Sequence, residues 1–296
     1  MQVTHLTWLP QDRWMVILCT TENDIETGKG IIGLWARSGK YHRVCEFYSG
    51  GIGPHELKTM PDGQTLVIAN GGIKTHPDTG REKLNLDMMR PNLSFVTGDG
   101  KINGKIELAS DLHKNSIRHL DVAANELIAF GMQWQGSINV RPALVGIAQM
   151  NGDVKLLHAP LEQKVLLQNY IGSVAISNDG ATIGVTAPKG GKAHFYQTGR
   201  GFVSEVKRAD ICGICENRNS FVTTDGNGGF FKVADAALTL LSHNPRSWGD
   251  HLVKVGKDYK FIPRKLEELG YTRPTGTGYK STSPARSELG RFAGFS

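Results

Sequence analysis

His55-Glu56-Leu57-Lys58-Thr59-Met60-Pro61-Asp62-Gly63-Gln64-Thr65-Leu66-Val67-Ile68-Ala69-Asn70 reads as two short strands around a tight turn. Asp62-Gly63 supplies the positive φ that such a turn needs, and Leu66-Val67-Ile68-Ala69 is an apolar run of strand length. The pattern recurs along the chain. Similar runs lie at Leu93–Val96, Leu127–Phe130, Ala143–Ile147, Ser173–Ile176 and Phe221–Thr224, separated by Gly98-Asp99-Gly100, Asn151-Gly152-Asp153, Asp179-Gly180 and Asp225-Gly226-Asn227-Gly228. This is an antiparallel meander. Its unit is four strands, a to d, and the a strands start near His5, His55, His119, Gly172 and Cys212, about 40 to 65 residues apart, the spacing of β-propeller blades. Asp250–Val255 offers one more strand that would close a ring. The expected class is all-β and the expected fold a β-propeller, with a β-sandwich as the alternative.

Composition agrees with frequent turns. Glycine supplies 36 of 296 residues, with no collagen-like period, and the 39 % hydrophobic content is enough for a sizeable core. The best apolar run, Trp14 to Cys19, is far short of the roughly 18 residues of a membrane helix, so no membrane span is expected. Four scattered cysteines do not make a disulfide scaffold, and Cys212-Gly213-Ile214-Cys215 lacks the second pair or βαβ context of a zinc or redox site. Of the net charge of +6, residues 257–296 contribute +4, with eight basic residues against four acidic ones. The basic balance therefore belongs largely to a poorly ordered tail, 257–296, and the propeller domain, 1–256, gives no reason to expect a nucleic-acid partner.

In an up-and-down blade the d–a connections and b–c loops share one face, and the a–b and c–d turns share the other. Here the turns are short, whereas the b–c loops are long and polar: Thr21 to Gly30, Asn70 to Pro91 and Gln133-Trp134-Gln135-Gly136. A loop of about twenty residues is either functional or disordered, and the concentration of polar residues on one side makes that face the expected working face. Aligning the turn residues Asp12, Asp62, Glu126, Asp179 and Asn219 puts His5, His55, His119, Gly172 and Cys212 at one position, where inner strands enter the channel. Imidazole, thiol and nearby carboxylate (Glu56, Glu22, Asp24, Asp78, Asp87) are the usual ligands of a transition-metal ion, with His55 and His119 as the expected metal pair. Blade-start histidines also serve structural hydrogen bonds, and Arg81, Arg90 and Arg118 suit an anionic ligand. The expected ligand-binding set is His55, Glu56, His76, Asp78, Arg81, Asn85, Asp87, Arg90, Arg118, Gln133 and Trp134. No Gly-x-Ser-x-Gly elbow or other nucleophile arrangement stands out, so no catalytic residue is assigned.

Several segments resemble the bacterial family known as domain of unknown function 1513: Thr21 to Asp24 with Glu26 to Gly33, Gly50-Gly51-Ile52-Gly53-Pro54-His55-Glu56, Ala69 to Ile73, His76 to Asp87, Ser116-Ile117-Arg118-His119-Leu120, Gln133 to Gly136, Cys212-Gly213, and Trp248 with His251-Leu252. The likeness runs from about residue 15 to 256. It implies a seven-bladed propeller of WD40-like repeats, exported to the periplasm by a twin-arginine signal and encoded near imelysin-like proteins and di-haem oxidases of iron acquisition. Against that pattern, N-terminal blade material and a signal are expected to be missing before Thr21, and the sequence from Lys257 onward has no counterpart. The resulting expectation is a non-enzymatic protein that binds a small ligand, a metal ion or a periplasmic iron-uptake partner through its loop-rich face. The alternative is a metal-dependent hydrolase of the lactonase-like propeller type, in which the cation acts as a Lewis acid.

Overall fold

The computed structural model describes residues 6–10, 16–38, 40–80, 82–218, 220–245, 247–249 and 251–252. Among them are five antiparallel four-stranded sheets, each formed by consecutive strands in simple meander order. Blade one holds β1 (Leu6–Pro10), β2 (Val16–Asn23), β3 (Lys29–Ser38) and β4 (Lys40–Ile52). Blade two holds β5 (Pro54–Thr59), β6 (Thr65–Asn70), β7 (Asn92–Thr97) and β8 (Ile102–Glu107). Blade three holds β9 (Asn115–Val122), β10 (Ile128–Trp134), β11 (Val145–Ala148) and β12 (Val154–Leu157). Blade four follows a short helix α1 (Leu161–Leu166) and holds β13 (Ser173–Ile176), β14 (Thr182–Ala187), β15 (Lys192–Gln197) and β16 (Gly201–Lys207). Blade five holds β17 (Ile211–Asn217), β18 (Ser220–Asp225), β19 (Gly229–Ala234) and β20 (Ala237–His243). The first strands pack in sequence, β1 on β5, β5 on β9, β9 on β13 and β13 on β17. These are the contacts of blades arranged around a shared inner channel, and the fold is a β-propeller. Residues 253–296, which include most of the expected closing strand and the expected tail, lie outside the described residues.

Strand alternation sorts the core into layers between blades. On β6 every residue is buried. Leu66 and Ile68 join Ile32 and Leu34 of blade one, while Val67 and Ala69 join Ile117, Leu120, Ile128 and Phe130 of blade three. Side chains at i and i+2 share a face, so one strand serves two interfaces and must be apolar throughout. The same logic gives the layer of blades three and four (Val145, Ile171, Val185, Tyr196) and that of blades four and five (Ala175, Phe195, Ile214, Phe221). The outer strands are exposed: β20 buries almost nothing.

The turns behave as their residues require. Asp62 Oδ1 accepts from Gln64 N and Thr65 N, both at 2.8 Å, and Asp179 Oδ1 accepts from Ser177 Oγ at 2.6 Å and Ala181 N at 2.9 Å. Gly53 alone links β4 to β5, with φ +61°, and a Cβ there would sit 2.8 Å from the Ile73 carbonyl oxygen. Only glycine fits.

The two faces hold together separately. Loop-rich contacts join Gly71 N to Gly53 O (2.8 Å), Trp134 N to Asn169 O (3.1 Å) and Gln135 N to Lys114 O (2.8 Å). On the opposite face, turns of neighbouring blades meet through Ala124 N and Asn178 O at 3.2 Å. A cleft of ≈ 520 Å³ lies on that opposite face between blades four and five, lined by Asp179, Phe195, Arg218, Phe221 and Asp235 among others.

Candidate functional site

Three of the five inner strands begin with a β-bulge, and the bulge sets the chemistry of the channel. Pro54 pairs with Asn70 and Glu56 with Ala69, which leaves His55 as the extra residue of β5. Ile117 pairs with Met132 and His119 with Gly131, which leaves Arg118 as the extra residue of β9. On β17 the shift falls between Ile211 and Ile214, at Cys212-Gly213. Such bulges re-aim side chains at the start of a strand. They also correct the sequence alignment by one position. His55 corresponds to Arg118, and His119 corresponds to Glu56. Turn residues alone do not reveal the shift, because the turn of blade three places Glu126 at φ +66° and spaces its strands differently.

Glu56 is buried and its carboxylate points along the channel into blade three. Its Oε2 lies 3.3 Å from His119 Nδ1 and accepts from Leu120 N at 3.2 Å. His119 is buried in turn, and its ring meets two further imidazoles: His55, edge-on at 4.7 Å between centroids, and His251, tilted at 5.0 Å. The ligand atoms of Glu56, His119 and His251 all lie within 4.8 Å of one another. His251 is exposed, so the cluster opens to solvent on that side. The expected pair His55 and His119 is thus brought into ring contact, but the atoms that converge belong to Glu56, His119 and His251, and His55 is not among them. His5, the other expected imidazole, lies outside the described residues.

One step further along the same strands, Lys58 Nζ stands 3.6 Å from Asp121 Oδ1 and 3.9 Å from Glu56 Oε1. Burial pushes the Lys58 ammonium down, but Asp121 and Glu56 outweigh it and raise its pKa, with the Cys215 thiol also in range. Asp121 is raised by burial against the pull of Lys58, and its Oδ2 accepts from Ile176 N at 3.1 Å. Glu56 and Asp121 therefore have parallel structural duties, each capping the inner strand of the next blade. Cys212 Sγ lies 3.5 Å from Thr224 Oγ1, and Cys215 Sγ lies 3.4 Å from Glu216 O.

The other expected ligand residues are dispersed over the loop face. His76 Nδ1 accepts from Asp78 N at 3.2 Å and lies 3.5 Å from Asp78 Oδ2, within one turn. Asn85 ties the long b–c loop shut: Oδ1 accepts from Lys74 N at 2.7 Å and Nδ2 donates to Gly72 O at 2.8 Å. Asp87 pairs with Lys114 at 2.6 Å, and that hydrogen bond and charge hold its carboxyl below the usual range. Gln133 donates to Ile171 O at 3.0 Å, and Trp134 Nε1 to Ser137 O at 3.0 Å. Arg90 is exposed, and Arg81 lies outside the described residues. Glu22 is buried against Arg43 at 3.1 Å, and Asp24 accepts from Thr27.

The motifs that carry the resemblance thus frame one channel mouth, and the family model for proteins of unknown function, DUF1513, matches residues 12–255. The chain belongs to the DUF1513 family. The match takes in blades two to five and blade one from β2 onward. No curated protein matches the sequence. Among solved structures, the chain is similar to a catalytically inactive variant of virginiamycin B lyase from Staphylococcus aureus with quinupristin. The identity is 12 %, with 75 % of this chain and 68 % of that one covered, at TM-score 0.49. It is also similar to Hsv2 of Kluyvelomyces marxianus, at 12 % identity, 78 % and 75 % coverage and TM-score 0.43. No helix among the described residues is long and apolar enough to cross a membrane.

Proposed function

We propose that this DUF1513 propeller is a metal-binding protein whose ion sits between Glu56, His119 and His251 at the channel mouth. The observation that carries the reading is the approach of those three ligand atoms to within 4.8 Å, from two neighbouring blades and a segment more than a hundred residues away. Two imidazoles and a carboxylate suit zinc or ferrous iron and leave coordination positions open for water or a ligand. His55, packed edge-on against His119, would orient the ring. The exported, iron-acquisition setting implied by the family resemblance belongs to this proposal and predicts preference for iron.

Elemental analysis of protein purified without chelator tests it. An equimolar transition metal is expected, with loss in Glu56→Gln and His119→Ala at unchanged secondary structure. Equal metal content in wild type and both variants overturns the reading. The open coordination positions also favour a second reading, metal-dependent hydrolysis with metal-bound water as nucleophile. Lactone or sugar-phosphate hydrolysis that is abolished by EDTA and by His251→Ala would establish it. A metal-loaded protein without such activity would exclude it.

A further inference from the structure

Arg118 differs from the buried and half-buried cations that the fold pairs with carboxylates. Lys58 faces Asp121 and Glu56, Lys192 faces Glu205 at 2.9 Å, Arg43 faces Glu22, and Arg208 faces Asp225 at 2.6 Å. Arg118 has no ion pair or hydrogen-bond acceptor among the described residues, and its Nε is buried without one. A guanidinium cannot escape this situation by losing its proton, so its burial is an uncompensated cost. Such a cost within a folded protein points to a ligand that supplies the missing charge.

The surroundings hold the group in place. Arg118 is the bulge residue of β9, which turns its side chain out of the blade's regular alternation. Gly71, in the b–c loop of blade two, clears room for it: a Cβ at Gly71 would lie 3.1 Å from Arg118 Nη1 and 3.2 Å from Cδ. Ser116 Oγ fixes that loop by donating to Gly71 O at 2.8 Å. On the other side, Tyr170 is close enough to interact electrostatically with the guanidinium, and Lys189 Nζ lies 4.4 Å from the centre of the Tyr170 ring. A second cation is therefore joined to the same aromatic.

We propose that Arg118 anchors an oxyanion subsite on the loop-rich face, built by Gly71, Tyr170 and Lys189, which takes a carboxylate or phosphate group of a small ligand. The planar fork of the guanidinium receives two oxygens side by side, and Lys189 adds charge at the rim. The subsite shares no residue with the metal cluster and is independent of the metal reading.

Calorimetric titration of the full chain, stripped of metal on a chelating resin, tests it with inorganic phosphate in one arm and succinate in the other. Binding of at least one anion is expected, weakened roughly tenfold or more in Arg118→Gln and less in Arg118→Lys, which keeps charge and stem but not the fork. Without anion, Arg118→Gln should melt at or above the wild-type temperature, because an unpaired charge has been removed, whereas a purely structural arginine would lower it. Failure of both anions to bind at about 10 mM, or equal affinity in wild type and Arg118→Gln, overturns the proposal.

Discussion

Asn70 ties the first two blades together through its amide. Fully buried, its Nδ2 donates to Ser49 O at 3.1 Å, Asn92 Oδ1 at 3.0 Å and Ser94 Oγ at 3.0 Å, and its Oδ1 accepts from Ser49 Oγ at 2.7 Å. Asn70→Ala strands several of these groups without partners, and urea melts should show a loss of about 3 kcal/mol. His194 is the opposite case. Its ring is fully buried, both nitrogens lack hydrogen bonds, and burial lowers its pKa to about 4 despite Glu205 Oε2 at 3.7 Å. The unfolded chain takes up this proton below about pH 6.5, the folded chain only near 4. The stabilising contribution is therefore intact above pH 6.5 and is lost progressively as pH falls towards 4, up to about 3 kcal/mol. His194→Leu should flatten the stability profile across that window, and an unchanged slope would show that other groups set it. Turn aspartates such as Asp62 are legible in sequence because their partners lie two or three residues away. The partners of Asn70 lie 21 to 24 residues away, and composition gives no sign of them.

Among the elements, apolar strand runs and tight turns are legible because they are local signals, whereas the expected start near His119 falls four residues inside β9, which begins at Asn115. Ser173–Ile176 is both the expected run and the observed β13. The bulges were not readable, since a single inserted residue changes register without changing composition. That is why His119 aligns with His55 by turn counting and with Glu56 by hydrogen bonding. The d–a link shows how little slack the elements have. Gly53→Ala places a Cβ against the Ile73 carbonyl at positive φ and should cost about 2 kcal/mol in thermal melts. Gly199→Ala, in a turn with open space around it and no positive φ, should leave the melting temperature nearly unchanged.

Across the described residues, the apolar layers lie between blades, so each blade depends on its neighbours to cover its apolar faces. The Glu56, His119 and His251 cluster adds a polar tie at the channel mouth, and His251 joins it by a tertiary contact with a residue more than a hundred positions away, which sequence spacing does not reveal. A metal bound there links β5, β9 and the segment after blade five. At a hundred times its Kd it should stabilise the fold by about 2.7 kcal/mol, and His251→Ala should abolish most of that gain in a metal-dependent thermal shift.

The bulge carries one further consequence. His55 and Arg118 occupy the same extra position on β5 and β9, β17 shifts register at Cys212-Gly213, and that position is exempt from the pairing that fixes the rest of the strand. It behaves as a socket repeated around an axis. An imidazole and a guanidinium already stand in it, so the side chains at the channel mouth can be rewritten one blade at a time while the hydrogen-bond ladder behind them stays as it is.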